Sequence, residues 1–202
     1  MHKMVIFDMD GVLVDACEWH RIALNEALQE VANYTISIED HNNIFNGIPT
    51  KKKLEILKTN KILKEDDLEK IFILKQKNTI KIINQMCKER KEKIELMNFL
   101  NKKNIVICCY TNSIRETTEL MLGKTGILHY FQKVLTNQDV KEPKPSPEGY
   151  KKCINLFNMK ETEVIIVEDS PKGLESARKT NATVVKVNNP TEVTIDLLKD
   201  IL

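Results

Sequence analysis

"VIFDMDGVLVDA", residues 5–16, joins a β-branched apolar run to three carboxylates, Asp8, Asp10 and Asp15. A strand that only filled a core would gain nothing from acids at its tip, and an unpaired buried charge is costly. The segment therefore predicts a strand that ends at a metal or catalytic centre. Residues two apart in extended chain project to the same side, so Asp8 and Asp10 face one pocket while Met9 faces the core. Gly11 then lets the chain turn away without placing a side chain in that pocket.

Further apolar runs follow at "IVICCY" (105–110), "KVLT" (133–136), "VIIV" (164–167) and "TVVKV" (183–187). They are continuous rather than alternating, which suits strands covered on both faces of a parallel sheet. Helical periodicity fills the intervals at "SIRETTELMLGKTG", "SPEGYKKCINLF" and "SPKGLESARKTN", each closing near Gly or Asn. This alternation predicts an α/β fold with a doubly wound, Rossmann-like, mostly parallel sheet. The interval from about 16 to 100 breaks the pattern, reading instead as "EWHRIALNEALQEV", a short helix near 39–45, "TKKKLEIL" and the long "EDDLEKIFILKQKNTIKIINQMCKE". An inserted all-helical cap over 16–90 accounts for it, with residues 1–15 and 91–202 forming the core domain and hinges near 15 and 90.

The 202 residues suffice for one core and a smaller inserted lobe. The net charge of +2, from 31 basic and 29 acidic residues, offers no broad field for nucleic acid or a membrane surface. Cys17, Cys87, Cys108, Cys109 and Cys153 are odd in number and form no C-x-x-C pair, which argues against a disulfide scaffold or zinc site. The opening apolar run is too short for a signal h-region, and no stretch reaches the ~18 apolar residues of a membrane span. A cytoplasmic, monomeric protein with a small-molecule ligand is the expectation.

In open α/β sheets ligands bind beyond the carboxyl ends of the strands. There this sequence places Thr111, Asn112 and Ser113 after the second strand, Glu168 and Asp169 after the fourth, and Lys144 in the loop "EPKPSPEGY". With Asp8 and Asp10 these are hard oxygen ligands, small hydrogen-bond donors and one cation, a mixture suited to Mg²⁺ and a phosphoryl group. Ser170-Pro171 and Ser146-Pro147 each read as an N-cap followed by N1, so two helix N-termini are expected to open beside the site.

The motifs "FDMDGVLVDA", "YTNS", "KPSPEGY" and "VEDSPKG", in that order across residues 4 to about 175, resemble the haloacid dehalogenase-like hydrolase superfamily. "DACEWH" and the two later loops resemble its beta-phosphoglucomutase-like branch, whose helical cap follows the first strand. The resemblance implies a Mg²⁺-dependent phosphatase of small phosphorylated metabolites, either sugar phosphates or nucleotide monophosphates. Asp8 would be the nucleophile giving an aspartyl-phosphate, with Asp10 as general acid and base. Thr111, Asn112 and Lys144 would act on the phosphoryl oxygens, and Asp8, Asp10 through its carbonyl, Glu168 and Asp169 would hold the metal. His20, Gly47 in "FNGIP", Lys77 in "KQKNTI" and Ser113 would touch substrate. Asp15 would fix the hinge or cap the next helix, and Cys17 would pack.

Two alternatives draw on similar residues. A beta-phosphoglucomutase would use the same first half-reaction, but Thr50 stands where the mutases place an arginine for a second phosphate, leaving Lys51 to Lys53 to substitute. A receiver-like phosphoacceptor domain also gathers acids, a Thr and a Lys, but it lacks the D-x-D spacing and the helical insertion.

Overall fold

A computed structural model describes residues 2–202. The chain divides into two units: one runs up to Asp15 and resumes from Cys87 to Leu202, and the other is Ala16–Met86.

The first unit is built on β1 (Met4–Phe7), β2 (Val106–Tyr110), β3 (Lys133–Leu135), β4 (Val164–Glu168) and β5 (Thr183–Lys186). The order is β3-β2-β1-β4-β5 with every pairing parallel, so the five strands form an α/β, Rossmann-like sheet. Met4 pairs with Val106 on one side and Val164 on the other, which makes β1 the central strand. The chain runs outward from β1 through β2 and β3, then returns to β1's other flank with β4. That reversal of strand order creates the crevice in which such sheets bind ligands.

Period-two alternation divides the strand side chains between two faces. Met4, Ile6, Cys108, Tyr110, Val164 and Ile166 share one core with Tyr150, Cys153 and Ile154 of α7 (Glu148–Leu156) and Ala177 of α8 (Pro171–Arg178). Val5, Phe7, Ile107, Cys109, Ile165 and Val167 point the other way and are equally buried. α5 (Lys91–Lys102) packs against β2 and against α9 (Ile195–Lys199). Lys93 of α5 is fully buried, its ammonium donating to the carbonyls of Pro190 and Val193. α6 (Arg115–Thr125) ends at Gly126, whose φ of +84° closes the helix in the left-handed region.

The second unit contains α1 (Cys17–Ala32), α2 (Ile38–Asp40), a π-helical turn over His41–Phe45, α3 (Thr50–Thr59) and α4 (Glu65–Met86). Leu24, Ala27 and Leu28 of α1, Leu54 and Leu57 of α3 and Ile71 of α4 form its own apolar core with Ile36, Phe45 and Leu63. This unit stops at Met86, whereas the sequence pattern carried it to residue 90. Cys87 Sγ bonds the Met121 carbonyl and Thr125 Oγ1, and the Arg90 amide bonds the Thr125 carbonyl, which ties residues 87–90 to α6. No helix among the described residues is long and apolar enough to cross a membrane.

Candidate active site

Asp8 extends β1 by one hydrogen bond, its amide donating to Val167 O at 3.0 Å. The chain then folds back: the amides of Leu13 and Val14 both reach Met9 O, at 2.9 and 3.0 Å, and Gly11 N reaches Val14 O at 2.8 Å. Gly11 takes φ +87°, a conformation open to glycine at little cost. Met9 is fully buried, so the alternation read from the sequence holds through the turn and leaves Asp8 and Asp10 on the site side.

β2 delivers the next group. Ser113 Oγ donates to Asp10 Oδ2 at 2.7 Å and Thr111 Oγ1 to the same oxygen at 3.5 Å, while Ser113 N donates to Thr111 Oγ1 at 3.0 Å. Asn112 exchanges a pair of hydrogen bonds with the Lys144 backbone: its Nδ2 donates to Lys144 O at 3.2 Å, and its Oδ1 accepts from Lys144 N at 3.1 Å. Asn112 therefore fastens the lysine loop to the end of β2.

Lys144 is 2 % exposed, and its ammonium bonds Asp8 Oδ1 at 2.5 Å and Glu168 Oε1 at 2.6 Å. Burial alone would weaken this ammonium, but Asp8 and Glu168 outweigh it and hold the lysine protonated well above its usual range. Burial pushes the Asp8 carboxyl up against the opposing pull of Lys144, and Glu168, Asp169 and Asp10 push it further. Asp169 is raised to about 7, by burial first and then by Glu168. Negative charge is crowded here, and the Lys144 ammonium offsets part of it.

The crowding tests the metal expectation. Asp169 Oδ1 is buried and has no hydrogen-bond partner, and such an atom is rare unless it serves a ligand or ion. Two carboxylates and a main-chain carbonyl are hard oxygen donors suited to Mg²⁺, so Asp8, Asp169 and the Asp10 carbonyl fit the ion. Among the described residues no group of three His, Cys, Asp or Glu side chains is arranged to hold a metal by itself. Glu168, named with the metal ligands through the resemblance, has both oxygens occupied. Oε1 accepts from Lys144 and from Tyr150 Oη at 3.1 Å, and Oε2 from Ser170 N and Oγ at 3.0 and 3.2 Å. Its place is beneath Lys144, fully buried.

Of the two helix starts, Ser170 caps α8, accepting from Gly173 N at 3.1 Å with Pro171 at N1. Ser146 does not cap α7: the helix begins one residue later, with Pro147 itself at the N-cap and Ser146 Oγ accepting from Glu148 N at 3.3 Å. Asp15 is exposed, and α1 has Ala16 at its N-cap with no side-chain cap.

Within the helical unit, His20 Nδ1 lies 3.2 Å from the ammonium of Lys75, which is 5 % exposed. Lys77 is exposed. Two residues turn a helix by about 200°, so Lys77 and Lys75 lie on different sides of α4, and it is Lys75 that stands beside His20. The signal was in the sequence: Ile71, Lys75, Thr79 and Ile83 form the buried stripe of α4, and a lysine at an apolar position needs a reason. Gly47 follows the π-helical turn with φ +76°. His41 is buried, and its imidazole is lowered to about 4 by that burial and by Lys53 and Arg21.

The profile of the haloacid dehalogenase-like hydrolases matches residues 5–187, a span that contains all four motifs. This chain belongs to that family. The haloacid dehalogenase-like hydrolase is 28 % identical over 177 residues to a phosphorylated carbohydrates phosphatase of Thermotoga maritima, covering 87 % of this chain and 80 % of the relative. It is 26 % identical over 186 residues to a fructose-1-phosphate phosphatase of Escherichia coli, covering 91 % and 95 %. Among solved structures, a beta-phosphoglucomutase of Clostridium difficile superposes with a TM-score of 0.85 at 18 % identity, covering 99 % of this chain and 96 % of that one. That likeness shows the haloacid dehalogenase-like fold.

Proposed function

We propose that this hydrolase is a Mg²⁺-dependent phosphatase of small phosphorylated metabolites, sugar phosphates first among them, acting through an aspartyl-phosphate on Asp8. The observation that carries this reading is the buried Asp8 carboxylate at the tip of β1, bonded to Lys144, with the unpartnered oxygen of Asp169 in the same acidic crowd. The sugar-phosphate class is supported by what the two phosphatase relatives are named for.

An attacking carboxylate and a phosphate monoester repel each other. Bound Mg²⁺, held by Asp8, Asp169 and the Asp10 carbonyl, would supply the positive charge that lets them meet. Lys144 offsets charge on the equatorial oxygens as the bond to Asp8 forms and the ester bond breaks. Thr111, Ser113 and neighbouring amides offer further donors. Asp10, oriented by Ser113, gives its proton to the leaving oxygen, then takes one from the water that attacks the acyl phosphate. Glu168 holds Lys144 in place. The helical unit, through His20 and Lys75, selects the rest of the substrate.

Phosphate release from a panel of phosphorylated metabolites, with and without chelator, tests the reading. Asp8→Asn and Lys144→Ala should each lose at least ~10² in rate, and rapid quench with labelled substrate should trap phosphate on Asp8. Normal turnover in Asp8→Asn would end it. Given β-glucose 1-phosphate with a trace of the bisphosphate, a phosphatase frees inorganic phosphate, whereas a mutase would yield glucose 6-phosphate with almost none.

A further inference from the structure

Lys144 is enclosed by more than carboxylates. Its ammonium lies 4.9 Å from the centre of the Tyr110 ring and 5.0 Å from that of Tyr150. The two rings meet edge to face, with centroids 5.0 Å apart and planes at 87°, and both residues are fully buried. Tyr110 is the last residue of β2 and Tyr150 lies in the first turn of α7, the helix that follows the lysine loop. The space for them is reserved: a β-carbon at Gly149 would fall 2.0 Å from Tyr110 Cζ, and one at Gly173 would fall 1.9 Å from Glu168 Oε1. Tyr150 Oη donates to the same Glu168 oxygen that accepts Lys144.

We propose that Tyr110 and Tyr150 are positioning residues whose ring faces form a two-walled cage holding the Lys144 ammonium beside Asp8 throughout the phosphoryl transfer. The proposal rests on the reading that Asp8 and Lys144 do the chemistry. Asp8 and Glu168 each accept one of the three N–H donors of the ammonium, whereas an aromatic face attracts the whole charge through its quadrupole. Once Asp8 is bonded to phosphorus its charge is spent, and one of the lysine's two anionic anchors weakens. The rings do not change between these states, so the ammonium keeps its position while its donors turn to phosphoryl oxygens. Tyr150 has a second hold, since its hydroxyl also fixes the Glu168 carboxylate.

The test grades the ring quadrupole while keeping the six-membered ring in place, and the thermal midpoint reports any cost of the added volume. Tyr110 is replaced site-specifically by phenylalanine, 3,5-difluorophenylalanine and pentafluorophenylalanine, and turnover of p-nitrophenyl phosphate is measured beside the thermal midpoint. The expected result is a stepwise fall in kcat with each addition of fluorine, about tenfold across the series or ~1.4 kcal/mol. KM should stay within about twofold, and the midpoint should not follow kcat. Tyr110→Leu, which has no quadrupole, should fall between the difluorinated and fully fluorinated rings, with Tyr110→Phe retaining most of the parent rate. A kcat that is flat across the fluorinated series, or that merely tracks the midpoint, overturns the cage. Lys144→Ala separates the layers: if it remains active the catalytic reading fails, and if it is inactive while the series is flat only the cage fails.

Discussion

Gly11 and Asp169 occupy adjoining space so closely that a β-carbon on Gly11 would stand 2.2 Å from Asp169 Oδ2. The turn after β1 and the acid after β4 are thus fitted to each other, and the absence of a side chain at Gly11 sets where the Asp169 carboxylate rests. Gly11→Ala meets two penalties, the contact itself and a φ of +87° that an L side chain rarely adopts. The variant should lose ~1–3 kcal/mol of stability. Its activity should fall more than tenfold, with a raised Mg²⁺ requirement because Asp169 is displaced. Denaturant unfolding and metal titration of activity check both, and an unchanged metal requirement would count against Asp169 as a ligand.

Lys144 has a structural load as well as a chemical one. Removing it leaves Asp8 and Glu168 buried around a missing ammonium, the situation in which breaking a buried pair costs ~3–5 kcal/mol. Lys144→Ala should therefore unfold at markedly lower denaturant near neutral pH. A variant as stable as the parent would mean that the ammonium gives this pocket no net stability.

Asp10→Asn should separate two proton transfers. Ser113 can still donate to the amide oxygen, so the group's position is kept while its acid–base function is lost. Sugar phosphates, whose leaving alkoxide needs a proton, should not turn over, a loss of ~10²–10⁴. With p-nitrophenyl phosphate, whose leaving group needs none, one burst of nitrophenol per enzyme followed by a stall is expected, with the adduct on Asp8 visible by mass spectrometry. Steady turnover without a burst would show that another group activates the water.

The two lysines of "KQK" should behave differently. Lys75→Met, which removes the partner of His20, should raise KM for the preferred substrate about tenfold, ~1.4 kcal/mol. Lys77→Met changes an exposed position and should not. Equal KM values in the two variants would remove Lys75 from substrate selection.

Lys93 gives the fold a dependence on alkaline pH. Burial, with Arg90 adding to it, lowers this lysine from 10.5 to about 8, so the folded protein binds its proton less tightly than the unfolded chain does. Below about 8 both states are protonated and the charged amine opposes folding. Between about 8 and 10.5 only the unfolded state carries the extra proton, so stability rises with pH there. Above 10.5 the effect is complete. The difference in unfolding free energy between the parent and Lys93→Met isolates it, and a difference independent of pH from 7 to 10.5 would refute the assignment.

The strands and the motif residues at their ends were legible because a doubly wound sheet writes each element as a continuous apolar run followed by its functional residue. Asp8, Thr111 and Asp169 each stand immediately beyond a strand. What stayed hidden depends on contacts between distant segments. Nothing in the sequence sets Tyr110 and Tyr150 beside Lys144, and only the fold brings the ammonium to both rings. Glu168 and Asp169 are neighbours with opposite orientations, which no spacing rule distinguishes once the strand has ended. Lys75 was within reach, since its place in the apolar stripe of α4 is readable, but the resemblance pointed to Lys77 instead.

The central position of β1 carries a consequence for how the chain is made. β1 is synthesised before the strands it pairs with, which begin at Val106 and Val164. The helices of Ala16–Met86 gather their contacts locally and can settle while synthesis continues, since local contacts form fastest. Met4–Phe7 meanwhile waits as an unpaired apolar strand with both edges open. Nascent chains stalled before residue 164 should accordingly be the species that chaperones hold and that aggregate when released, while the helical segment within them is already folded.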